Sequence, residues 1–403
     1  MSNINDNLMM EIFESLNTQD SDAVRKALEI LYNGVMKIEQ QRSLGAGSYE
    51  RSERRQGYAN GYKPKILNTR LGPLKLNVPQ TRGHAFYPTC LEKGTRSERA
   101  LKLAIAEMYL KGVSTRRVSA ITEELCGLEI SSTQVSSLTK ELDEEFEAFR
   151  NRSLGEVVYV YLDATYLKVR HNGSVIDQST FLAYGVNLFG RREILGVSIS
   201  LSEAEVHWRS FLESLQKRGL KGIRLFISDN HAGLKAARRA VFPSVPWQRC
   251  QFHLSQNALS YAPTKALKGE IAKAMRVVFN CPTKESIEDG KRWVIDRFQK
   301  SAPEFVKWFE NNIDEGLTCF SFPEEHRKRI RTTNGLERVN REIKRRTRVA
   351  VLFPNSESAL RLVTGILTEI HEEWITGKVY LDMNKLYEVD HSRAWKTFVE
   401  QEA

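Results

Sequence analysis

Hydrophobic positions change their period several times along this chain, and each change marks a candidate element. Val157-Val-Tyr-Val-Tyr-Leu162 is an unbroken apolar run, the mark of a strand buried on both faces. It leads into Tyr166-Leu-Lys-Val-Arg170, an Asn172-Gly173 hairpin signal, and strand patterns over Thr180–Leu188 and Ile194–Leu201. Glu203–Arg218 is amphipathic at helical spacing through Val206, Phe211, Leu212 and Leu215. Ile223–Ile227 is a second buried strand, and Gly233–Val241 a short helix. This order predicts a mixed sheet covered by helices, an α/β core. From Leu254 to Glu325 the strand signals vanish and windows such as Ala266–Phe279 and Ser286–Gln299 dominate, which predicts an all-helical insertion. A last long helix is expected over Glu357–Trp374. Trp208, Trp293 and Trp308 lie in helical windows and are expected in the core rather than as base-stacking groups.

Before residue 150 the pattern is of another kind. Lys65-Ile-Leu-Asn-Thr-Arg70 and Leu74-Lys-Leu-Asn-Val78 flank a Leu-Gly-Pro turn at 71–73, with Gly57 and Gly61 marking a flexible approach. Helical spacing then runs from Ser97 to Lys111 before Gly112. Ser114 is placed to cap a second helix closed by Gly127, and Ser132 a third carrying Val135, Leu138, Leu142 and Phe146. Two short helices around Gly127 resemble a helix-turn-helix, although a plain helical packing unit has the same pattern. The chain therefore divides into an N-terminal helical segment (1–50), a basic β unit (51–95), a helix-turn-helix-like region (96–152), a first part of the α/β core (153–253), the helical insertion (254–325), and a second part of the core with C-terminal helices (326–403).

Composition narrows the function. With 403 residues, 41% of them hydrophobic, the chain can bury a sizeable core in two or three domains and is not a disordered polypeptide. No apolar run approaches a membrane span, and the polar start Met1-Ser-Asn-Ile-Asn-Asp-Asn reads as neither signal nor transit peptide. Five scattered cysteines suggest a reducing, cytoplasmic setting. The net charge of +10 favours a polyanionic partner. Its distribution says more. Residues 51–82 hold eight basic side chains, including Arg51, Arg54, Arg55, Lys63 and Lys65, against Glu53 alone. Residues 331–348 hold seven, including Arg338, Arg341, Lys344 and Arg345, against Glu337 and Glu342. Either block is explained by a solvated surface, but two blocks beside structural motifs favour phosphate contact.

Candidate chemistry lies in three acids. Two buried strands run into aspartate, Val-Tyr-Leu-Asp163 and Phe-Ile-Ser-Asp229. At the carboxyl ends of strands such groups face the functional crevice, unless each merely caps the turn or helix that follows. Glu337 borders the stripe Leu336, Val339 and Ile343; the capping-box pattern Asn334-x-x-Glu337 is its structural explanation, and Glu342 is expected to be an exposed charge. Cleaving a phosphodiester requires neutralising developing charge and deprotonating the attacking oxygen, work that divalent ions held by carboxylates perform.

Several segments together carry a resemblance. Tyr161-Leu-Asp-Ala-Thr-Tyr-Leu-Lys-Val-Arg170, Ile227-Ser-Asp-Asn-His-Ala-Gly-Leu-Lys235, Trp247-Gln-Arg-Cys-Gln-Phe-His253 and Thr332-Thr-Asn-Gly-Leu-Glu-Arg-Val-Asn-Arg341 resemble the mutator-type bacterial insertion-sequence transposases. Gly57-Tyr-Ala-Asn-Gly-Tyr-Lys63, followed by Val78-Pro79, resembles them as well. The resemblance implies a ribonuclease-H-like mixed sheet, an Asp163–Asp229–Glu337 triad binding Mg2+, with Mn2+ able to substitute, and a DNA transposase acting on terminal inverted repeats and target DNA as a homodimer or larger assembly. The long second interval, Asp229 to Glu337, agrees with the insertion read from the loss of strand pattern. Cys250-x-x-His253 is half of a zinc site without a matching half, and is taken as a structural or substrate-positioning pair. His231 is open between DNA contact and helix capping. A metal-dependent nuclease or resolvase on the same fold, or a non-catalytic DNA-binding protein whose acids are only caps, remain the alternatives. The protein would be cytoplasmic and nucleoid-associated when bound to DNA.

Overall fold

The computed structural model describes residues 10–14, 22–47, 50, 52–91, 99–111, 113–126, 128–140, 142–348 and 352–389. Arg51, Ser97, Gly112 and Gly127, used in the sequence reading, lie outside them. The chain forms two compact units, Met1–Leu142 and Asp143–Ala403. Among the described residues no helix is long and apolar enough to cross a membrane.

In the first unit, helix α1 (Ala23–Leu44) packs on a two-stranded ribbon, β1 (Tyr58–Thr69) and β2 (Gly72–Arg82), around Met36, Leu67, Leu74, Leu76 and Val78. The turn is Arg70-Leu71, one residue earlier than the Leu-Gly-Pro reading, because Thr69 pairs with Gly72 and Gly72 takes φ +104°. The approach is not a loop: β1 begins at Tyr58, and Gly61, at φ +72°, forms a bulge between Ala59 and Tyr62. Helices α2 (Arg99–Leu110), α3 (Thr115–Cys126) and α4 (Ser132–Lys140) enclose Leu101, Ile105, Val118, Leu128 and Val135. Ser114 accepts from Arg117 N at 3.2 Å as expected. The third cap is Ser131, not Ser132, since Ser131 and Gln134 exchange side-chain-to-backbone bonds at 2.7 and 3.2 Å.

The predicted third helix is interrupted. Its second half is a separate helix, α5 (Asp143–Asn151), and it belongs to the second unit. There Arg361 bonds Asp143 at 2.7 Å and Arg150 bonds Thr364 at 3.2 Å. A periodic apolar stripe does not reveal which neighbour it packs against.

The second unit is built on β3 (Val157–His171), β4 (Ser174–Asn187), β5 (Arg192–Ser200), then α6 (Glu205–Lys217), β6 (Leu225–Ser228), α7 (Ala232–Val241) and β7 (Trp247–Arg249). The sheet order is β5-β4-β3-β6-β7, antiparallel from β5 to β3 and parallel from β3 to β7. Asn172 and Gly173, at φ 47° and 81°, make the tight turn between β3 and β4. Strand β7 escaped the sequence reading because its three residues carry no apolar run. Helices only follow among the described residues up to 347: α8 (Gln251–Ser260), α9 (Lys265–Phe279), α10 (Lys284–Phe298), α11 (Pro303–Asn312), two 3-10 turns, α12 (Glu324–Ile330) and α13 (Asn334–Thr347). Helix α14 (Ser356–Thr376) then packs against β5 and β3.

Because side chains alternate along β3, its two faces meet different partners. Val160 and Leu162 join Phe181, Trp208, Phe211 and Leu234 under α6 and α7. Tyr159 and Tyr161 point to the other side, where the Tyr159 hydroxyl meets His326 Nδ1 at 2.8 Å and Tyr161 Oη donates to the Arg329 carbonyl at 3.2 Å. Trp208 is fully buried and stacks on Phe181 at 4.1 Å, as the helical spacing predicted. Trp308 is half-buried against Tyr261. Trp293, in contrast, is 47% exposed, with the Arg297 guanidinium over its ring, and is not core.

His371 of α14 accepts a bond from Ile194 N at 3.2 Å, and burial, followed by the Arg152 charge, pushes its pKa down to about 4. The unfolded imidazole titrates near 6.5, so the unfolded state takes up a proton first on acidification. This contribution is complete above pH 6.5 and is lost as pH falls towards 4. Thermal unfolding followed from pH 7 to 4 should therefore show a loss of about 1–2 kcal/mol that His371→Gln, which keeps an acceptor for Ile194, removes. An identical pH slope in the variant would exclude His371 as its source.

Candidate active site

Asp163 does not stand at the end of its strand. β3 continues eight residues further against β4, whereas its parallel partner β6 stops pairing at Leu162–Ser228. Asp163 is thus the first residue of β3 with no β6 neighbour, and the gap beside it becomes a cavity of about 280 Å³. Asp229, the first residue after β6, lines the same cavity. The N-cap of α7 is His231 rather than Asp229, and its side chain makes no capping bond.

The two carboxyls are held differently. Asp163 is largely buried; Ala164 N donates to its Oδ1 at 2.9 Å, and Asn340 Nδ2 donates to its Oδ2 at 2.8 Å. Burial, and then the charge of Asp229, pushes its pKa up to about 7. Asp229 pairs through Oδ1 with His253 Nδ1. That bond, and a further one to Cys250, raises the His253 pKa to about 10 against the opposing effect of burial, so the imidazole is a cation at neutral pH.

Glu337 occupies the first turn of α13 and is half-buried. The capping box read from Asn334-x-x-Glu337 does not form, since the N-cap is Thr333 and its side chain makes no capping bond. Its Oε1 is buried with no hydrogen-bond partner among the described residues. Glu337 and Asn340 stand three residues apart, on neighbouring positions of one helix surface. Asn340 therefore brings the Glu337 helix against Asp163, although Glu337 does not itself line the cavity that Asp163 and Asp229 share.

The helix is seated by the segment that holds Asp229. Cys250, fully buried, accepts from Thr333 N at 3.4 Å and Thr333 Oγ1 at 3.3 Å, and Gln251 N donates to the Arg331 carbonyl at 2.9 Å. Cys250 N in turn donates to the Ser228 carbonyl at 2.9 Å. The Cys-x-x-His spacing thus ties together the ends of β6 and the start of α13, with His253 one turn further on reaching Asp229. Asp229, Cys250 and His253 offer ligand atoms within 4.8 Å of one another, and the sulfur also accepts from Thr333.

Two cavity residues escaped the sequence reading. Glu203, expected as the first residue of an amphipathic helix that in fact starts at Glu205, lines the cavity with its side chain 13% exposed, 3.6 Å from His231 Nε2. Gly233 permits this, because a Cβ there would stand 2.4 Å from the Glu203 carbonyl. Arg249 is 1% exposed and bonds Glu315 at 3.0 Å and Asn312 at 3.1 Å. No sequence signal marked either residue, since both depend on contacts between distant segments. His231 is exposed and does not cap α7 with its side chain.

The basic residues divide by what already engages them. Arg338, Arg341, Lys344 and Arg345 are all exposed on α13. Arg345, however, is bonded to Glu342 at 2.7 Å. Glu342 is not the exposed charge expected but half-buried: Arg345 and Arg346 hold its carboxyl down to about 2, and Arg346 also bonds Glu369 at 2.7 Å. In the first unit Arg54 and Lys63 are exposed. Arg55 bonds the Gly47 and Glu50 carbonyls, and Lys65 bonds Tyr87 Oη at 3.1 Å.

Residues 3–377 match the family model described as Transposase, Mutator family. The chain belongs to the Mutator family of transposases. It is 52% identical to the transposase for insertion sequence element IS406 of Burkholderia multivorans, over 90% of this chain and 94% of that protein. It is 42% identical to the ISRM5 transposase of Rhizobium meliloti, over 91% and 92%. It is 38% identical to the IS256 transposase of transposon Tn4001 from Staphylococcus aureus, over 90% and 94%. A transposase role and membership of a transposable element follow for this chain.

Removing the Cys250 acceptor leaves the Thr333 N–H and hydroxyl buried and unpaired. Cys250→Ala should lower stability by about 1–3 kcal/mol in urea unfolding, and Cys250→Ser, which restores an acceptor, should recover part of the loss. Equal midpoints for wild type and Cys250→Ala would show that Thr333 is not held by this sulfur.

Proposed function

We propose that this Mutator-family transposase binds the terminal inverted repeats of its element, cleaves the DNA at the element ends and joins the freed 3′-OH to target DNA. In this reading Asp163, Asp229 and Glu337 form the acidic set, and the sheet is of the ribonuclease-H-like kind. The observation that carries it is the shared cavity: one carboxyl on β3 and one just past the end of its parallel neighbour β6, with the Glu337 helix bonded to the first through Asn340.

A divalent cation fits these residues. Burial, and then the charge of Asp229, raises the Asp163 pKa, and Glu337 keeps an oxygen buried without a donor among the described residues. Both features are relieved by a hard cation on carboxylate oxygens. Asp163, Asp229 and Glu337 would hold it, with Mg2+ the natural ion and Mn2+ able to substitute. When bound, it supplies charge neutralisation at the phosphate and a lowered pKa for the attacking water.

The chain's own residues do the rest. His253, paired with Asp229, orients that carboxylate. Arg338, Arg341 and Lys344 present exposed positive charge on the helix of Glu337, where they would take phosphates flanking the cut. In the first step a water oxygen bonds to phosphorus and the 3′ oxygen leaves with a proton. In the second, that 3′-OH loses its proton, bonds to a target phosphorus and displaces the target's 3′ oxygen. The first unit, through Arg54 and Lys63, would grip the repeats, and joining two ends calls for a dimer or larger assembly.

Asp163→Asn, Asp229→Asn and Glu337→Gln should each lower cleavage about a thousandfold or more, equivalent to ~4 kcal/mol of transition-state stabilisation, with repeat binding intact in gel-shift assays. Wild-type cleavage by Asp163→Asn would remove it from the chemistry. Pre-cut ends should give joined product with the wild-type chain; hydrolysis without joining would point to a nuclease instead.

A further inference from the structure

Asn340 is 8% exposed and sits on the helix surface that faces β3, where its amide donates to Asp163 across 177 residues of chain. Its own Oδ1 is buried without a partner among the described residues, so the side chain costs more than an apolar residue of the same size in this place. A packing role alone is therefore a poor account of it.

Charge separates Asn340 from the other donors available to a carboxylate. A lysine or arginine here would neutralise Asp163 and compete with a cation for it. An amide orients the carboxylate while leaving its charge in place. With Ala164 N on Oδ1 and Asn340 Nδ2 on Oδ2, each oxygen receives one donor and keeps its remaining lone pair open. The same bond fixes the depth at which α13 lies on β3, and so the approach of Glu337 one turn earlier.

We propose that Asn340 is a positioning residue that sets the Asp163 carboxylate and the Glu337 helix in register before a divalent cation arrives. This rests on the reading of Asp163, Asp229 and Glu337 as the cation-binding set.

The test uses the full chain, Mn2+ alone as the probe followed by electron paramagnetic resonance, and Mg2+-dependent cleavage as a second readout. Asn340→Ala should raise the half-saturating Mn2+ concentration about tenfold or more, in the range seen when groups supporting metal ligands are removed. The Mg2+ concentration for half-maximal cleavage should rise in parallel, with cleavage recovered at saturating metal. Asn340→Ser keeps a polar group too short to reach Asp163; it should behave like Asn340→Ala and decides the matter if the alanine variant does not fold. An unchanged Mn2+ midpoint in a folded variant overturns the proposal, as does lost cleavage that saturating metal does not restore. Asp163→Asn is run beside them. If it binds Mn2+ and cleaves like wild type, the acidic-site reading fails; if it loses both while the Asn340 variants are unchanged, only the role given to Asn340 fails.

Discussion

Bringing like charges together inside a protein is costly unless something offsets them, and the second unit of this transposase is arranged around that constraint. Asp163 and Asp229 share one cavity at the point where two parallel strands part. The structure answers the repulsion unequally. Asp229 has a cationic imidazole against it, whereas Asp163 has only neutral amide donors and a pKa raised by its surroundings. On the proposed reading, this asymmetry leaves Asp163 as the group whose charge awaits an external cation.

The parts that create this pocket are distributed along one strand. Tyr159, Tyr161 and Asp163 form an odd-numbered series on β3, and each reaches a successive point of the C-terminal helices: His326, Arg329 and Asn340. Strand alternation thus converts a linear run into a docking edge. The Cys250–His253 segment holds the opposite side, one residue seating Thr333 and the other reaching Asp229. A segment first noted for its metal-like spacing acts here through hydrogen bonds.

Much of the arrangement was legible in the residues. Val157–Leu162 could hardly be anything but a doubly covered strand, Asn172-Gly173 announced its turn, and the loss of strand pattern after Leu254 marked the helical stretch. Errors gathered where two patterns compete locally. Ser131 lies beside the expected cap Ser132 and is the residue bonded to Gln134, and the stripe through Phe146 continues smoothly across a division between units. Trp293 has the spacing of a core residue yet faces solvent, because periodicity marks a face without saying that anything covers it.

The sequence alone indicated most of the elements, the family resemblance and three candidate acids, since each rests on short-range period or on ordered motifs. Only the tertiary structure decided what surrounds those acids. Glu203 enters the cavity because Gly233 leaves room for its backbone, Asn340 meets Asp163 from 177 residues away, and Glu342 is consumed by Arg345 and Arg346. The physical reason is the range of the forces involved. Backbone preference and hydrophobic period act over a few neighbouring residues, whereas hydrogen bonds and burial depend on which distant side chains share a volume.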